Sequence, residues 1–350
     1  MNKKQKTTIT TQQKFLKDFI NYTTIVICKY DLKVNQNFQT MTNSTIMTEF
    51  LLVGFANGWK LRFLNSMLFL LMYLATMLGN LLIVTVSTID KNLHTPMYFF
   101  LRNLSILDMC YISVTVPNAC VNFLTDNRAI SVAGCATQIF LVIYCGYVEV
   151  MFLTFMARDR YVAICQPLHY PIIMNPRVCD YMTLISVISG LAYSGFHTAN
   201  TFRLPFCQSN VIHQFFCDIH SLLILSCSDT FYNEIANLVS AMVFGGGCFL
   251  LIAMSYFHIF STAVKFPTSR ERGKAFSTCV PHILVVSVFL ISGIYVNLKS
   301  SVTIEPIHDR ILSTFYTIVP PLLNPIIYSL KNKQVKEALR KLILRIFFLR

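Results

Sequence analysis

Apolar residues run almost unbroken through seven stretches of this chain, roughly 63–89, 98–123, 135–157, 179–200, 235–263, 276–298 and 311–330, with polar or charged segments between them. Each is about as long as the ~20 residues that cross a hydrocarbon core as a helix. A membrane strand needs only about half that length, so the pattern predicts helices and not a barrel. Arg102, Asp108 and Glu149 interrupt the second and third stretches. After the seventh, 331–350 alternates basic and apolar residues, and Val335, Leu339, Leu342 and Ile346 fall at helical spacing. That spacing predicts a short helix lying on an anionic membrane face. The expected fold is an all-α integral membrane protein, a seven-transmembrane helix bundle with a short cytoplasmic amphipathic helix after the seventh span. Its parts are an extracellular N-terminal segment 1–62, the bundle 63–330 and a basic cytoplasmic tail 331–350.

Composition agrees. Of 350 residues, 54% are hydrophobic and 13% charged, against about 25% charged in soluble proteins. The net charge of +13 would suit nucleic acid, but its distribution points to a membrane. Lys91, Arg158, Arg160, Arg177, Lys265, Arg270, Arg272, Lys274 and the tail fall on one side of the alternating spans; the opposite loops between spans hold only Arg128, Arg203, Lys299 and Arg310. This bias places the N-terminus outside and the C-terminus in the cytoplasm of a multi-pass plasma-membrane protein. The lysines between Lys3 and Lys33 oppose it but lie far from a span, where charge counts little; Lys60 and Arg62, close to the first span, weigh against it more. No nucleic-acid partner is expected, and anionic lipid is.

Residues 1–18 are polar, and 19–28 is too short and lacks a small-residue cleavage site, so the first span is expected to act as an uncleaved signal anchor. Residues 1–40 have no apolar core of their own. Glycosylation is expected at Asn43, in Asn43-Ser44-Thr45 just before the first span, with Asn21 the second match. A third match at Asn103 falls inside a span. Cys135, Cys207, Cys217 and Cys227 lie on the predicted outer side, where an oxidising compartment makes two disulfides expected, in any of three pairings. Zinc held with His213 and His220 is the weaker alternative, because no CxxC or HxxxH spacing occurs.

Polar residues inside the spans carry the candidate chemistry. Asp108 and Glu149 lie mid-membrane in the second and third spans, Asn80 and Asn324 in the first and seventh. Intramembrane acids are functional by default, and two facing carboxyls need a cation or a proton between them. The four are expected to form one polar core holding sodium or a shared proton; the alternative is two separate neutral acids bonded to their own helices. No other cofactor or metal is expected. At the inner end of the third span, Asp159 is expected to hold Arg160 by charge-assisted hydrogen bonds until a switch frees it, against the alternative of solvated end charges. In the outer half, Val142, Ile143, Gly146 and Tyr147 share one face of the third span, and Gly293 and Asn297 stand on the sixth. They are the candidate lining of a ligand cavity, against the alternative of plain packing. No carboxylate stands at that level of the third span, and 311–330 holds no lysine for a retinal Schiff base. What remains suits a small, weakly polar organic molecule. A transporter would predict repeats and a string of ionisable residues, and only Asp108 and Glu149 fit one. No HExxH or GxSxG is present, so the chain is expected not to be an enzyme.

From about Met41 to Arg345 the chain resembles an odorant (olfactory) receptor of the rhodopsin-like G-protein-coupled class. The resemblance rests on ordered motifs: Gly79-Asn80; Leu93-His94-Thr95-Pro96-Met97-Tyr98-Phe99-Phe100 with Leu104-Ser105-Ile106-Leu107-Asp108; Met156-Ala157-Arg158-Asp159-Arg160-Tyr161; Ser255-Tyr256; Lys274-Ala275-Phe276-Ser277-Thr278-Cys279 with His282; and Pro321-Leu322-Leu323-Asn324-Pro325-Ile326-Ile327-Tyr328. It implies disulfides Cys135–Cys217 and Cys207–Cys227 and odorant binding from the outer side. It implies a switch at Asp159, Arg160, Tyr161 and Tyr328 with outward movement of the sixth helix, and coupling to a heterotrimeric stimulatory G protein that raises cyclic AMP. It maps the family's polar core onto Asn80, Asp108, Glu149 and Asn324. Two departures stand out: Arg158 before Asp159, able to compete for that acid, and Leu290 after Phe289, where the family usually has tyrosine. Met41-Thr42-Asn43-Ser44-Thr45 resembles the family's ordinary start, which marks 1–40 as an extension.

Overall fold

Every one of the seven apolar stretches is a helix, and each helix outruns the apolar window that revealed it. The computed structural model describes residues 47–53, 58–125, 128–207, 209–298 and 306–348. The spans are α1 (Trp59–Ile89), α2 (Pro96–Thr125), α3 (Val132–Cys165), α4 (Pro176–Phe202), α5 (Phe231–Ala263), α6 (Ser269–Leu298) and α7 (Pro306–Lys331), followed by α8 (Lys333–Phe348). Hydropathy marks the oily window, whereas a helix ends where its terminal backbone groups find other partners. Ser131 Oγ accepts from the Gly134 amide at 3.1 Å and starts α3. Asn175 Oδ1 accepts from the Val178 amide at 3.0 Å and, with Pro176 behind it, starts α4. Because α3 runs on to Cys165, Asp159, Arg160 and Tyr161 lie inside it and not at its tip.

Among the described residues, six helices are both long and apolar enough to cross a membrane. The remaining one, α4, has 27 residues, about 40 Å of helix, but is richer in Ser, Thr and Gly. Those small residues let it approach α3: a Cβ on Gly190 would come within 2.9 Å of Val148 Cγ2. The central packing is around α3, where Phe152, Met156 and Ala157 meet Phe100, Leu101 and Leu104 of α2. Leu64, Leu71 and Leu78 of α1 face outward, as lipid requires.

Prolines interrupt α2 (Pro117), α6 (Pro281) and α7 (Pro320, Pro321, Pro325). Pro325 has no N–H to give to the carbonyl four residues back. Asn80 of α1 supplies the missing donor, its Nδ2 reaching Pro321 O at 3.1 Å. Gly79 makes room for that meeting, since a Cβ there would lie 3.0 Å from Pro325 Cγ.

Three features have no signature in the hydropathy pattern. A small sheet of order β2-β1-β3 joins β1 (Glu49–Leu52), β2 (Ala129–Ser131) and β3 (Val211–Ile212), with Phe50 opposite Ile130 antiparallel and Leu51 opposite Val211 parallel. A helix Ile219–Leu225 forms in the long α4–α5 loop, started by Asp218 accepting from the Ser221 amide at 2.6 Å. Within α5, Ala241–Gly245 is wound as a π-helix, a distortion frequent at functional sites. Of the expected features, Asn103 lies in α2 and donates to Phe99 O at 2.9 Å. Asn21 and Asn43 fall outside the described residues, as do residues 1–40. Helix α8 buries Val335 and Ala338 against the bundle and leaves Lys336, Arg340 and Lys341 exposed. Tyr98 of α2 ties α8 down, its hydroxyl donating to Gln334 Oε1 at 2.6 Å.

Candidate functional site

The bundle has one end closed by disulfides and one end bearing Asp159 and Arg160. At the closed end, Cys135 at the start of α3 bonds Cys217, and Cys207 bonds Cys227. This is the pairing the resemblance implied, one of the three that the cysteines alone allowed. Gln138 fixes the loop further: the Cys217 amide donates to its Oε1 at 2.8 Å, and its Nε2 donates to Val114 O of α2 at 2.9 Å. Phe215 and Phe216 drop into a cluster with Phe69 and Phe123. The loop and the sheet therefore roof the bundle.

Beneath this roof stand the candidate cavity residues. Val142, Ile143, Gly146 and Tyr147 are all half-buried. Ile143 packs into the cluster at the disulfide end. Tyr147 lies flat on Phe244 of the π-segment, with ring centroids 4.0 Å apart, and 4.8 Å from Tyr193 of α4. A Cβ placed on Gly146 would meet nothing within 4 Å, and the same holds for Gly293 of α6. Both glycines thus border open space, while Ile143 and Tyr147 rest on protein. Asn297 belongs to α6, and its side chain is outside the described residues. Sequence reasoning missed a hydrogen-bonded seam between α4 and α5: Tyr193 Oη donates to Ser240 Oγ at 3.2 Å, and His197 Nδ1 lies 2.7 Å from Asn237 Oδ1. Its signal was the set of polar residues, Tyr193, His197, Asn237 and Ser240, recurring at helical spacing in oily stretches.

At mid-bundle, Asn324 Nδ2 donates to both oxygens of Asp108, at 2.9 and 3.1 Å. The Glu149 carboxyl adjoins Asp108, and its Oε1 is buried without a hydrogen-bond partner among the described residues. Asp108, Glu149 and Asn324 are therefore brought together. Asn80 stands one step away, spanning Thr76 O and Pro321 O, with its own Oδ1 unpartnered. Two facing carboxyls and an amide can accommodate a proton or one small cation. Among the described residues no group of three metal-ligating side chains occurs.

At the open end the expected Asp159–Arg160 contact is replaced by another. Asp159 is buried and accepts from Tyr170 Oη at 2.8 Å. No ion pair joins it to Arg160 among the described residues. Consecutive helix residues point about 100° apart, so the pair cannot share a face. Tyr170 lies in the short helix Tyr170–Ile173 that follows α3. Burial first, and Asp159 second, push its phenol above the ordinary value, so it stays protonated and donates. Arg160 Nε is buried without a partner, within electrostatic range of Tyr256, His282 and Tyr328. Tyr256 Oη and His282 Nδ1 join α5 to α6 at 2.7 Å, and Tyr328 Oη is buried without a partner among the described residues. Tyr161 turns the other way: Gln166 Nε2 donates to its hydroxyl at 3.3 Å, and the Arg158 guanidinium sits over its ring at 5.5 Å. Arg158 therefore rests on Tyr161 and does not compete for Asp159. Leu290 and Phe289 pack on the central core.

A roofed bundle of seven helices with a proline-bent last span and an arginine mouth defines a rhodopsin-like membrane receptor fold. The crystal structure of squid rhodopsin superposes on it with a TM-score of 0.66, covering 84% of this chain and 88% of that chain at 18% identity. The olfactory receptor family profile matches residues 69–346. Human olfactory receptor 14C36 is 62% identical over 308 residues, 88% of this chain and 99% of its own length. Human olfactory receptor 14A16 is 47% identical over 303 residues, 87% and 98% respectively. The chain belongs to the olfactory receptor family. It is thus a multi-pass membrane receptor and not an enzyme, with an odorant as ligand and a G protein as partner.

Proposed function

We propose that this receptor binds small, weakly polar odorants in the half of the bundle nearest the disulfides and activates a stimulatory G protein that raises cyclic AMP. The roofed end faces outward with the N-terminus, and the Asp159–Arg160 end faces the cytoplasm with the C-terminus, in keeping with the basic residues at that end. The observation that carries the reading is the state of Arg160: a cation with a buried, unpartnered Nε, beside a Tyr256–His282 bond that links α5 to α6. Separation of α6 from α5 would break that bond and open Arg160 to a partner, a two-state change that ligand can bias. The open space beside Gly146 and Gly293 supports placing the odorant between α3 and α6, lined by Val142, Ile143, Gly146, Tyr147, Gly293 and Asn297. Sodium or a shared proton at Asp108 and Glu149, with Asn80 and Asn324 around it, holds the resting arrangement. Asp159, Arg160, Tyr161 and Tyr328 form the G-protein switch. The test is a cyclic AMP screen of the expressed chain against volatile compounds, with Arg160→Ala as control. Responses that survive Arg160→Ala would overturn the switch, and tags placing both chain ends on one side of the membrane would overturn the topology.

A further inference from the structure

A cavity of about 250 Å³ opens on the flank of the bundle at the Asp159–Arg160 end, walled by the end of α1, the turn before α2, the start of α2 and the start of α4. Most of its polar lining is engaged. Tyr98 Oη donates to α8, and His94 Nε2 lies 3.1 Å from Thr88 O. Two groups of opposite charge remain. Arg102 of α2 makes no hydrogen bond or ion pair among the described residues; its guanidinium rests over the Phe99 ring at 5.6 Å. Asp180 of α4, on the opposite wall, is exposed and likewise unpaired.

An arginine this far into a membrane helix is costly unless it reaches the headgroup level or finds an anion. Arg102 sits six residues, about 9 Å, into α2. Helical side chains lean back toward the N-terminus, and the Phe99 contact shows this one doing so. The guanidinium thereby lines the cavity close to the start of α2. Above the cavity the valley between α2 and α4 continues as oil: Ile106, one turn beyond Arg102, and Leu184 and Ile188, one and two turns beyond Asp180, all face outward.

We infer that this cavity is a binding site for an aminophospholipid of the adjoining leaflet. The phosphodiester pairs with the Arg102 fork, the primary ammonium with Asp180, and an acyl chain lies along Ile106, Leu184 and Ile188. A glycerol headgroup supplies the phosphate but leaves Asp180 without a cation. A choline headgroup supplies a cation with no N–H to donate.

Full-length receptor is reconstituted in phosphatidylcholine nanodiscs containing equal minor amounts of phosphatidylethanolamine and phosphatidylglycerol. It is then extracted in mild detergent, and the retained lipid is quantified by mass spectrometry. Phosphatidylethanolamine is expected to be enriched about tenfold over the other two, the worth of one charge-assisted hydrogen bond. Arg102→Gln is expected to lower retention of all three lipids, whose phosphate it holds, and Asp180→Asn to level phosphatidylethanolamine with phosphatidylglycerol. Thr95→Trp fills the exposed rim of the cavity without touching either charge, and is expected to abolish retention; if Arg102→Gln does not fold, this variant decides. Equal retention of the three lipids by the wild type, or enrichment that survives Thr95→Trp, overturns the site. Soluble glycerophosphoethanolamine is expected not to displace the lipid, and displacement by it overturns the membrane source.

Discussion

Tyr170→Phe deletes one oxygen and leaves the ring in place. That oxygen donates the 2.8 Å hydrogen bond to Asp159, an acid that is 2% exposed and has no ion-pair partner among the described residues. A hydrogen bond to a charged group contributes about 1.5–3 kcal/mol. Arg160 lies within electrostatic range of Asp159 and offsets part of the loss, so the lower end applies. About 1.4 kcal/mol is a factor of ten in an equilibrium, so the balance between the held and released arrangements of this mouth should move about tenfold. With the contact belonging to the resting state, the variant should raise ligand-free cyclic AMP at matched surface expression. Maximal odorant response should be kept, because Arg160 is untouched. Burial and Asp159 raise the phenol above its ordinary value. The phenol therefore keeps its proton and can donate at every pH below about 10, the ordinary tyrosine value, and loses it only as pH rises through the raised one. Wild-type basal signal should not change between mildly acidic and mildly alkaline medium on this account. An unchanged or lowered basal signal in Tyr170→Phe would refute the reasoning and leave Asp159 a structural acid.

Asn324→Ala removes both hydrogen bonds to Asp108 and should cost about 2–4 kcal/mol, read as a lower unfolding temperature in detergent. Sodium should raise the unfolding temperature of the wild type but not of Asp108→Asn; equal responses would remove the ion from the polar core. Gly146→Ala should leave thermal stability unchanged, since its Cβ meets nothing within 4 Å, while shifting odorant potency. Gly190→Leu should destabilise by about 1–3 kcal/mol, because even a Cβ there approaches Val148 Cγ2 to 2.9 Å. Loop-closure entropy ranks the disulfides: Cys135–Cys217 closes 82 residues and Cys207–Cys227 closes 20, about 4.5 and 3.3 kcal/mol. Surface expression should fall further for Cys135→Ser than for Cys227→Ser.

Seven spans, their order and the residues of the polar core were legible in the chain because lipid imposes a simple rule. A long oily run must become a helix, and a charge inside it must find company. Asp108, Glu149 and Asn324 stand out for that reason, and the fold brings them into contact. Caps, roof and mouth follow no such rule. Ser131 and Asn175 extend α3 and α4 past their oily windows through single hydrogen bonds, and no hydropathy average registers one hydrogen bond. The three-stranded roof joins Phe50, Ile130 and Val211 from segments too short and too distant in sequence to announce pairing. Adjacency along the chain also misled: Asp159 precedes Arg160, yet helix geometry turns them apart, and the acid's partner is Tyr170, eleven residues on.

The amino-acid order by itself determined that this protein lives in a bilayer, how often it crosses, and which buried polar groups need explaining, since these depend on composition within windows about as long as a membrane is thick. Only the tertiary structure decided that Arg160 Nε is buried without a partner among the described residues, that Arg158 leans on Tyr161, that Gly146 borders open space while Tyr147 is covered by Phe244, and that Arg102 and Asp180, unpaired among the described residues, face one cavity. Those are matters of which side of a helix meets which neighbour, and side-chain direction is settled by packing between elements far apart in the chain.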